Sequence, residues 1–319
     1  MLRTILIYLS QANWARQIVT RWSFARSAAS RFIAGEVLDD AISVIKTLNA
    51  KNINATLDHL GEHTSNPEKA IQATDDIISI IERIHQEGVR SGVSIKLTQI
   101  GLDVDEDMCK DNLDRILQTA KELSSFVRID MEDSQWVEKT LKLFKCALES
   151  YGPETIGIVI QSYLYRSEKD VSELLKHGAR IRMCKGAYKE PEDIAFPEKA
   201  DVDLNFDLLV KLMYEGCKEN GNPVVSENGK IPPVPAIASH DDVRIDYAKG
   251  LLDKMGLPKE AVEFQMLHGI RRDLQESLVE EGYPVRVYVP YGSEWYPYFT
   301  RRLAERPANL WFFISNFFR

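Results

Sequence analysis

The stretch VSIKLTQIGLDVDEDMCKDNLDRILQTAKELSSFVRID, residues 93–130, places one long helical pattern between two short β-branched runs. The runs are VSIKL (93–97) and FVRID (126–130), and the helical pattern covers about 106–124. Parallel strands need a long crossover connection, which is usually a helix. This unit therefore predicts two parallel strands of one sheet.

The same strand–helix unit recurs along the chain. Eight strands are predicted, at 53–60, 93–97, 126–130, 156–160, 179–183, 234–238, 262–266 and 285–289. Helical patterns lie at about 36–51, 67–90, 106–124, 134–150, 167–177, 203–220, 241–255 and 272–282, and again after the last strand. Eight alternating units close into a barrel, whereas an open doubly wound sheet would carry a G-x-G-x-x-G motif that this sequence lacks.

We therefore predict an α/β fold, a (βα)8 TIM-type barrel with N-terminal helices and a C-terminal helix that binds a ligand. Residues 1–52 are expected to form a helical arm and residues 53–319 the barrel catalytic domain. The longest non-periodic segments, Lys189–Asp201 and Asn220–Pro235, are rich in proline. We expect both to cross the barrel mouth as loops.

The composition limits the class of protein. A chain of 319 residues with 44% hydrophobic and 28% charged residues is typical of a soluble globular protein. Its net charge of −8 argues against a nucleic-acid surface, and no run of 18 apolar residues could span a membrane. The four cysteines are widely spaced without a C-x-x-C pair, so we expect a reducing compartment and no metal site.

The stretch YGSEWYPYFTRRLAERPAN (291–309) carries two adjacent arginines within a helical pattern. Residues three or four apart share a helix face, so Tyr298, Arg302 and Glu305 can act together. Guanidinium groups match the geometry of carboxylates and phosphates. A solvated face with ordinary ion pairs is the alternative, but the flanking aromatic residues argue against it. We expect Arg301 and Arg302 to hold an anionic group.

Polar residues recur where the predicted strands end, which is the end of a barrel that carries the chemistry. They are Lys96, Asp130, Gln161, Arg182, Ser239, His240, Gln265 and Tyr288. A satisfied polar layer could explain any one of them, but a charge in a central strand is costly without a partner. Their number favours a large polar ligand. Asp130 and Arg182 could pair with each other or bind opposite ends of a cofactor.

The segment RMCKGAY (182–188) continues from the fifth predicted strand. A basic residue, a glycine and a small residue in this place let backbone N–H groups approach an anion closely. The segment therefore indicates a phosphate-type site, although it does not establish one alone.

The two ends of the chain differ from the rest. Residues 1–35 hold five arginines and no acidic residue, which fits a packing helix, a helix at a membrane surface or an organellar transit peptide. We favour the packing helix, with membrane contact second. The apolar segment WFFISNFF (311–318) fits either a tail folded onto the barrel or a contact with a bilayer.

Taken together, the motifs resemble the proline dehydrogenase family, flavoenzymes built on a (βα)8 barrel. The similar segments are RFIAGE (31–36), DHLGE (58–62), SIKLT (94–98), VRIDME (127–132), VIQSYL (159–164), RMCKGAY (182–188), AIASHD (236–241), FQMLHG (264–269), VYVPYG (287–292) and YFTRRLAERPAN (298–309). The chain has no aldehyde dehydrogenase module and is in this respect similar to the monofunctional bacterial form. The family pattern has threonine where this chain has Ser239, which keeps the hydroxyl group.

The resemblance implies oxidation of L-proline to Δ1-pyrroline-5-carboxylate by hydride transfer to N5 of FAD, with the electrons passed to a membrane quinone. The implied substrate-binding residues are Lys96, Leu267, Tyr288, Tyr298, Arg301, Arg302 and Glu305. The implied cofactor-binding residues are Asp130, Met131, Gln161, Arg182, Lys185, Gly186, Ala187, Ser239, His240 and Gln265. Asp130 and Arg182 are also the expected catalytic residues.

Two other functions stay open on the residues alone. Lys96 at a strand end could be the Schiff-base nucleophile of a lyase or aldolase barrel. A non-catalytic module that binds proline or flavin is the second alternative, since a fold does not determine a function. We leave the acceptor of the amine proton unassigned. We expect a cytoplasmic protein, with peripheral contact at the inner face of the plasma membrane as a further expectation.

Overall fold

The computed structural model describes residues 29–61 and 63–305, with side chains up to Arg302. Its centre is a closed barrel of eight parallel strands in sequence order. The strands are β1 (Asn54–His59), β2 (Ser91–Ile95), β3 (Val127–Ile129), β4 (Ile156–Gln161), β5 (Arg180–Cys184), β6 (Pro235–Ala238), β7 (Glu263–Leu267) and β8 (Val285–Tyr291). The predicted α/β fold, a (βα)8 TIM-type barrel, is confirmed.

A helix precedes the first strand, and one helix follows each strand. They are α1 (Leu38–Ala50), α2 (Pro67–Gln86), α3 (Glu106–Glu122), α4 (Ser134–Tyr151), α5 (Ser167–Leu175), α6 (Lys199–Glu219), α7 (Asp242–Met255), α8 (Arg272–Glu280) and α9 (Trp295–Glu305). A short 3-10 turn, Lys259–Ala261, precedes β7. Most predicted helix ends lie within a few residues of these bounds, but α6 begins four residues before its predicted start at 203.

Local sequence signals set several helix ends. The side chain of Asn66 accepts a backbone N–H bond at the start of α2, whose first residue is Pro67. Asp105 caps α3 in the same way. Gly256 adopts the left-handed conformation just past α7, where a side chain would be strained. These signals lie in the sequence itself, which is why the helices could be located from it.

Successive side chains of each strand point to opposite sides of the barrel wall. One set, which includes Leu57, Val93 and Ile129, belongs to the apolar core between strands and helices. The other set faces the barrel interior and is polar or small. It includes Thr56, Ser94, Arg128, Gly157, Arg180, Ala236, Glu263 and Arg286.

The barrel interior contains buried arginines. Arg286 forms a two-point ion pair with Glu263, at 2.8 Å and 3.1 Å, and both side chains are at most 2% exposed. Arg128 donates to two backbone carbonyl oxygens. Burial lowers the pKa of Arg128 well below its ordinary value, and the positive charge of Arg182 adds to the effect. The interior of the barrel near the amino-terminal ends of the strands is therefore filled by charged side chains and not by apolar ones.

One predicted loop lies at the opposite end of the barrel. Asn220–Pro235 joins a helix to a strand, and such connections lie at the amino-terminal ends of the strands. The Gly229 carbonyl accepts a bond from Arg286, and the Pro232 carbonyl accepts one from Arg180. The prediction that this segment crosses the barrel mouth was wrong. It covers the amino-terminal end instead.

The first described residues run along the end of β8. Ala34 N donates to Pro290 O at 2.9 Å, and the Phe32 ring lies 6.2 Å from Phe299 of α9. Helix α1 packs against β1 and β8. The described N-terminal residues thus connect the outer wall of the barrel to the helix over its mouth.

The predictions for the two ends of the chain lie mostly outside the described residues. One prediction concerns the packing, membrane or transit role of residues 1–35, of which residues 1–28 lie outside the described ranges. The other concerns the membrane contact of residues 310–319, all of which lie outside them. Within the described ranges, no helix is long and apolar enough to cross a membrane.

Candidate active site

A cavity of about 630 Å³ lies at the carboxyl ends of the strands and is bordered by α9. Its volume is within the range of small-molecule and cofactor sites. The cavity is lined by every predicted site residue whose side chain is described: Lys96, Asp130, Met131, Gln161, Arg182, Lys185, Gly186, Ala187, Ser239, His240, Gln265, Leu267, Tyr288, Tyr298, Arg301 and Arg302. Their roles in binding stay predictions. Glu305 ends α9, and its side chain lies outside the described part.

The floor of the cavity is a charged cluster around Asp130. Arg182 donates to Asp130 Oδ1, and the Tyr288 hydroxyl donates to Oδ2 at 2.8 Å. The Lys96 ammonium lies 3.5 Å from the same Oδ2. The Arg182 guanidinium also lies over the Tyr288 ring, 5.2 Å from its centre. Of the two alternatives left open by the sequence, direct pairing of Asp130 with Arg182 is present here.

A second carboxylate in the cluster, Asp58 of β1, was missed in the sequence analysis. Its Oδ1 accepts a bond from Lys96 Nζ at 3.3 Å, and the side chain is 1% exposed. Its Oδ2 makes no hydrogen bond to the described residues. The one signal that could have found it was its place near the end of the first predicted strand, 53–60.

The two carboxyl groups differ in their protonation equilibria. Burial raises the pKa of Asp58 and the nearby Asp130 adds to this rise, whereas Lys96 and the Tyr288 hydroxyl oppose it. Burial would also raise the pKa of Asp130, but Arg182, Lys96 and the Tyr288 hydroxyl outweigh it and the pKa falls below its ordinary value. Asp130 is therefore held as a carboxylate, whereas Asp58 accepts a proton more readily.

Helix α9 presents its arginines to the cavity because its aromatic residues are buried. Trp295 and Phe299 are 3% and 1% exposed and pack edge to face, with ring centres 5.9 Å apart. Arg302 is 9% exposed, and its guanidinium lies 5.0 Å from the centre of the Tyr298 ring. Arg301 is half-buried at the same wall. The helix is thus held by its apolar residues, and both arginines line the cavity wall.

The segment after β5 forms another wall of the cavity. Gly186 has a positive φ of 118°, and a Cβ atom there would collide with the Tyr163 ring, so only glycine fits. The Lys185 ammonium lies 2.6 Å from Asp203 and 2.7 Å from Asp241. The lysine predicted to approach an anion is therefore already flanked by two carboxylates.

The structure also gives the hydrogen bonds of two further site residues, Gln161 and His240. Gln161 donates through Nε2 to Met131 O at 3.1 Å and to Glu132 O at 2.8 Å. Its buried Oε1 has no hydrogen-bond partner in residues 29–61 and 63–305. His240 Nε2 accepts from Leu267 N at 3.0 Å, so this nitrogen carries no proton. Gln161 lines the cavity, so its buried Oε1 is an acceptor that a ligand donor could use.

No cluster of three or more His, Cys, Asp or Glu residues suited to a metal ion occurs among the described residues. The cavity instead joins a basic wall, aromatic side chains and a glycine-containing backbone segment at the catalytic end of a barrel. These features define a (βα)8-barrel protein with a site for a large organic ligand that carries negative charge.

Comparison with known proteins defines the family. The proline dehydrogenase family model matches residues 41–314. Proline dehydrogenase 2 of Bacillus subtilis is 41% identical over 310 residues, which cover 97% of this chain and 96% of that protein. Proline dehydrogenase of Deinococcus radiodurans is 43% identical over 291 residues, 90% of this chain and 89% of that one. The chain belongs to the proline dehydrogenase family of oxidoreductases and matches its monofunctional bacterial members.

A solved structure supports the same assignment. The crystal structure of proline utilization A (PutA) from Bdellovibrio bacteriovorus, inactivated by N-propargylglycine, superimposes with a TM-score of 0.78 at 27% identity. The match covers 88% of this chain and 33% of that one, so this chain corresponds to one part of the longer protein.

Proposed function

We propose that this protein oxidises L-proline to Δ1-pyrroline-5-carboxylate with FAD as the hydride acceptor and passes the electrons to a membrane quinone. The observation that carries the proposal is a cavity at the carboxyl ends of the strands whose wall includes the cationic side chains of Lys96, Arg301 and Arg302. The family of the chain supports the choice of substrate, because its relatives over almost the full length are proline dehydrogenases.

The substrate carboxylate would bind to the two arginines of α9 and to Lys96. Guanidinium groups bind carboxylates through paired N–H bonds, and burial strengthens such bonds because water competes less. Leu267, Tyr288 and Tyr298 line the same cavity and would hold the apolar ring. Glu305 would orient one of the arginines.

The residues present fit a flavin. Gln161 Oε1 is a buried acceptor without a described partner, as a ring N–H donor of the cofactor requires. Gly186 lines the cavity without a side chain, so its backbone could approach an anionic group of the cofactor closely. Arg182 supplies a cation on the floor of the cavity. The remaining contacts would come from Asp130, Met131, Lys185, Ala187, Ser239, His240 and Gln265.

When bound, FAD supplies the acceptor for the hydride that leaves the ring carbon next to the substrate nitrogen. Stacking of the pyrrolidine ring would set the distance and direction of that transfer. Arg182, fixed by Asp130 and by the face of Tyr288, would stabilise negative charge that develops on the acceptor side. Asp130 and Arg182 are in this sense the proposed catalytic pair.

The alternative of a Schiff-base lyase is disfavoured by the surroundings of Lys96. A nucleophilic lysine must lose its proton, but Asp58 and Asp130 lie 3.3 Å and 3.5 Å from this ammonium and favour its charged form. The oxidoreductase family of the chain also disfavours the lyase and the non-catalytic binding module.

The electron acceptor and the location belong to the same proposal. A membrane quinone requires the protein to approach a bilayer, and residues 1–35 and 310–319 are the proposed contacts. We place the protein in the cytoplasm, at the inner face of the plasma membrane. The boundary between a helical arm and the barrel at residue 52 is likewise proposed.

An anaerobic visible spectrum, recorded before and after addition of L-proline, tests the proposal. We expect a flavin spectrum that bleaches with L-proline. A flavin spectrum that bleaches only with another amino acid would change the substrate and keep the reaction. A protein that neither contains nor takes up FAD would overturn the proposal.

A further inference from the structure

We propose that Asp58 takes up a proton when a carboxylate ligand binds at Lys96, so that the affinity of the cavity for carboxylates falls as the pH rises. The inference deepens the proposed function and rests on it, because it takes the substrate carboxylate to bind at this ammonium. Asp58 then acts as a positioning residue, since it affects the substrate through Lys96.

The geometry of the cluster explains why a carboxylate would take up a proton when a ligand binds. Lys96 Nζ lies between Asp58 Oδ1 at 3.3 Å and Asp130 Oδ2 at 3.5 Å. All three side chains are at most 12% exposed, so water screens their charges weakly. A ligand carboxylate would add a further anion to the two that these distances place beside one ammonium. Carboxylates crowded in this way do not all stay ionised, and one of them takes a proton.

Asp58 is the carboxylate that the geometry selects. Asp130 is bonded to Arg182 and to the Tyr288 hydroxyl, and both bonds favour its ionised form. Asp58 has one cation, Lys96, and its Oδ2 makes no hydrogen bond to the described residues. Burial already raises its pKa.

The groups that face Asp58 come from several strands and from their carboxyl ends. They are Lys96, which follows β2, Asp130, which follows β3, and Tyr288 and Tyr291 of β8, with Arg182 of β5 behind Asp130. Among these, Lys96 alone is a cation in direct contact with Asp58. An anionic ligand bound to Lys96 therefore weakens the main interaction that keeps Asp58 ionised.

The sign of the pH dependence follows from this competition. In the ligand-free protein the charge of Lys96 partly cancels the rise in the pKa of Asp58 that burial causes. A bound carboxylate would weaken this effect of Lys96 and would add a negative charge nearby. The pKa of Asp58 is then higher in the complex. Between the two pKa values binding consumes a proton, and affinity falls by up to about tenfold for each pH unit.

Isothermal titration calorimetry of the flavin-containing protein with cyclopentanecarboxylate measures the uptake. This acid has the ring and carboxylate of proline but no amine, so any proton must come from the buffer. Titrations in buffers of different ionisation enthalpy give the number of protons taken up at each pH. We expect uptake in the wild type, and affinity that falls with rising pH.

Two variants locate the acceptor. Asp58→Asn keeps the shape of the side chain but cannot take up a proton, so we expect no uptake and an affinity that is flat with pH. Asp133→Asn is the matched control, because Asp133 is a partly buried aspartate with a raised pKa that does not line the cavity. We expect wild-type uptake in this control.

The outcomes separate the inference from the proposed function. Wild-type binding without proton uptake, or equal uptake in Asp58→Asn and in the wild type, would overturn the inference. The first of these needs no variant, so it stands even if Asp58→Asn does not fold. A wild-type protein that neither binds the acid nor is reduced by L-proline would overturn the proposed function itself.

Discussion

Arg301 and Arg302 are neighbours in the chain but occupy different surroundings. Arg302 is buried against the face of Tyr298, whereas Arg301 is half-buried at the cavity wall. Adjacent residues diverge by about 100° on a helix, so both can reach one anion only if it lies close against α9. In the proposed role, the pair would select a negatively charged group and also fix its position against α9.

Replacement of either arginine by alanine tests this role. Because a hydrogen bond to a charged group contributes about 1.5–3 kcal/mol, we expect KM for proline to rise roughly tenfold to a hundredfold. Flavin content should stay near that of the wild type, as judged from the ratio of visible to ultraviolet absorbance.

Arg115→Ala is a suitable control, because Arg115 is an exposed arginine paired with Asp75 on the outer helices. Its proline kinetics should match the wild type. Wild-type KM in both Arg301→Ala and Arg302→Ala would remove these residues from the substrate site.

Single residues also mark how far the sequence predicts the site. Polar residues at strand ends could be identified because active-site residues of barrels lie at the carboxyl ends of the strands. Those whose side chains the structure describes line one cavity. Asp58 was not identified, although it lies near the end of the first predicted strand, because its partner Lys96 is 38 residues away and their contact has no local signal in the sequence. Arg128 and Arg286 inside the barrel were missed for the same reason, since their partners lie on other strands.

At the scale of elements, the segment from Lys185 to Glu198 is tied to the start of α4. Glu190 accepts bonds from Ser134 N at 2.7 Å and from the Ser134 hydroxyl. Asp133 precedes this helix but makes no capping bond with its side chain. A carboxylate at a helix start is favourable, so Glu190 serves as the cap and holds the segment that carries Gly186.

Glu190→Gln tests this connection. Loss of the charge at the helix start should lower the free energy of unfolding by about 1 kcal/mol and speed the release of flavin. Urea denaturation and dilution-induced flavin fluorescence measure the two effects.

The control is Glu192→Gln, an exposed residue on the same segment whose backbone carbonyl, and not its side chain, accepts the Tyr165 hydroxyl. This variant should behave as the wild type. Equal changes in the two variants would show that the carboxylate of Glu190 has no special role.

At the scale of the whole molecule, closure of the barrel could be predicted from the count of strand–helix units, because eight is the number found in barrels of this type. The count of units does not by itself show which loops reach the cavity. Loops that follow a strand lie at the cavity end, whereas loops that follow a helix lie at the opposite end. Asn220–Pro235 was misplaced because its prolines suggested a mouth loop, although it follows a helix.

Stability of the barrel should depend on pH through His268, which follows β7 and is 9% exposed. Burial lowers its pKa to about 4, and the charge of Arg272 contributes. The ordinary value is about 6.5, so the unfolded chain binds a proton that the folded protein excludes between these values. The stabilisation is complete above about pH 6.5, and as the pH falls to about 4 it declines by about 3 kcal/mol.

His268→Gln should show a shallower loss of stability over this pH range in urea denaturation. His177→Gln is the control, because His177 lies on the surface with half of its side chain exposed. A slope in His268→Gln equal to that of the wild type would mean that His268 is not the group responsible.

The segment that covers the amino-terminal end of the barrel has a kinetic consequence. Arg286 and Arg180 bind its carbonyl groups, and Glu263 and Arg128 fill the space above, so the described part of the barrel offers a ligand no passage from that side. Substrate and electron acceptor would then both enter at the carboxyl-terminal end of the barrel, where α9 borders the cavity. If the two reactants must occupy the same space beside the cofactor, the first product leaves before the second reactant enters. Double-reciprocal plots at several acceptor concentrations would be parallel lines.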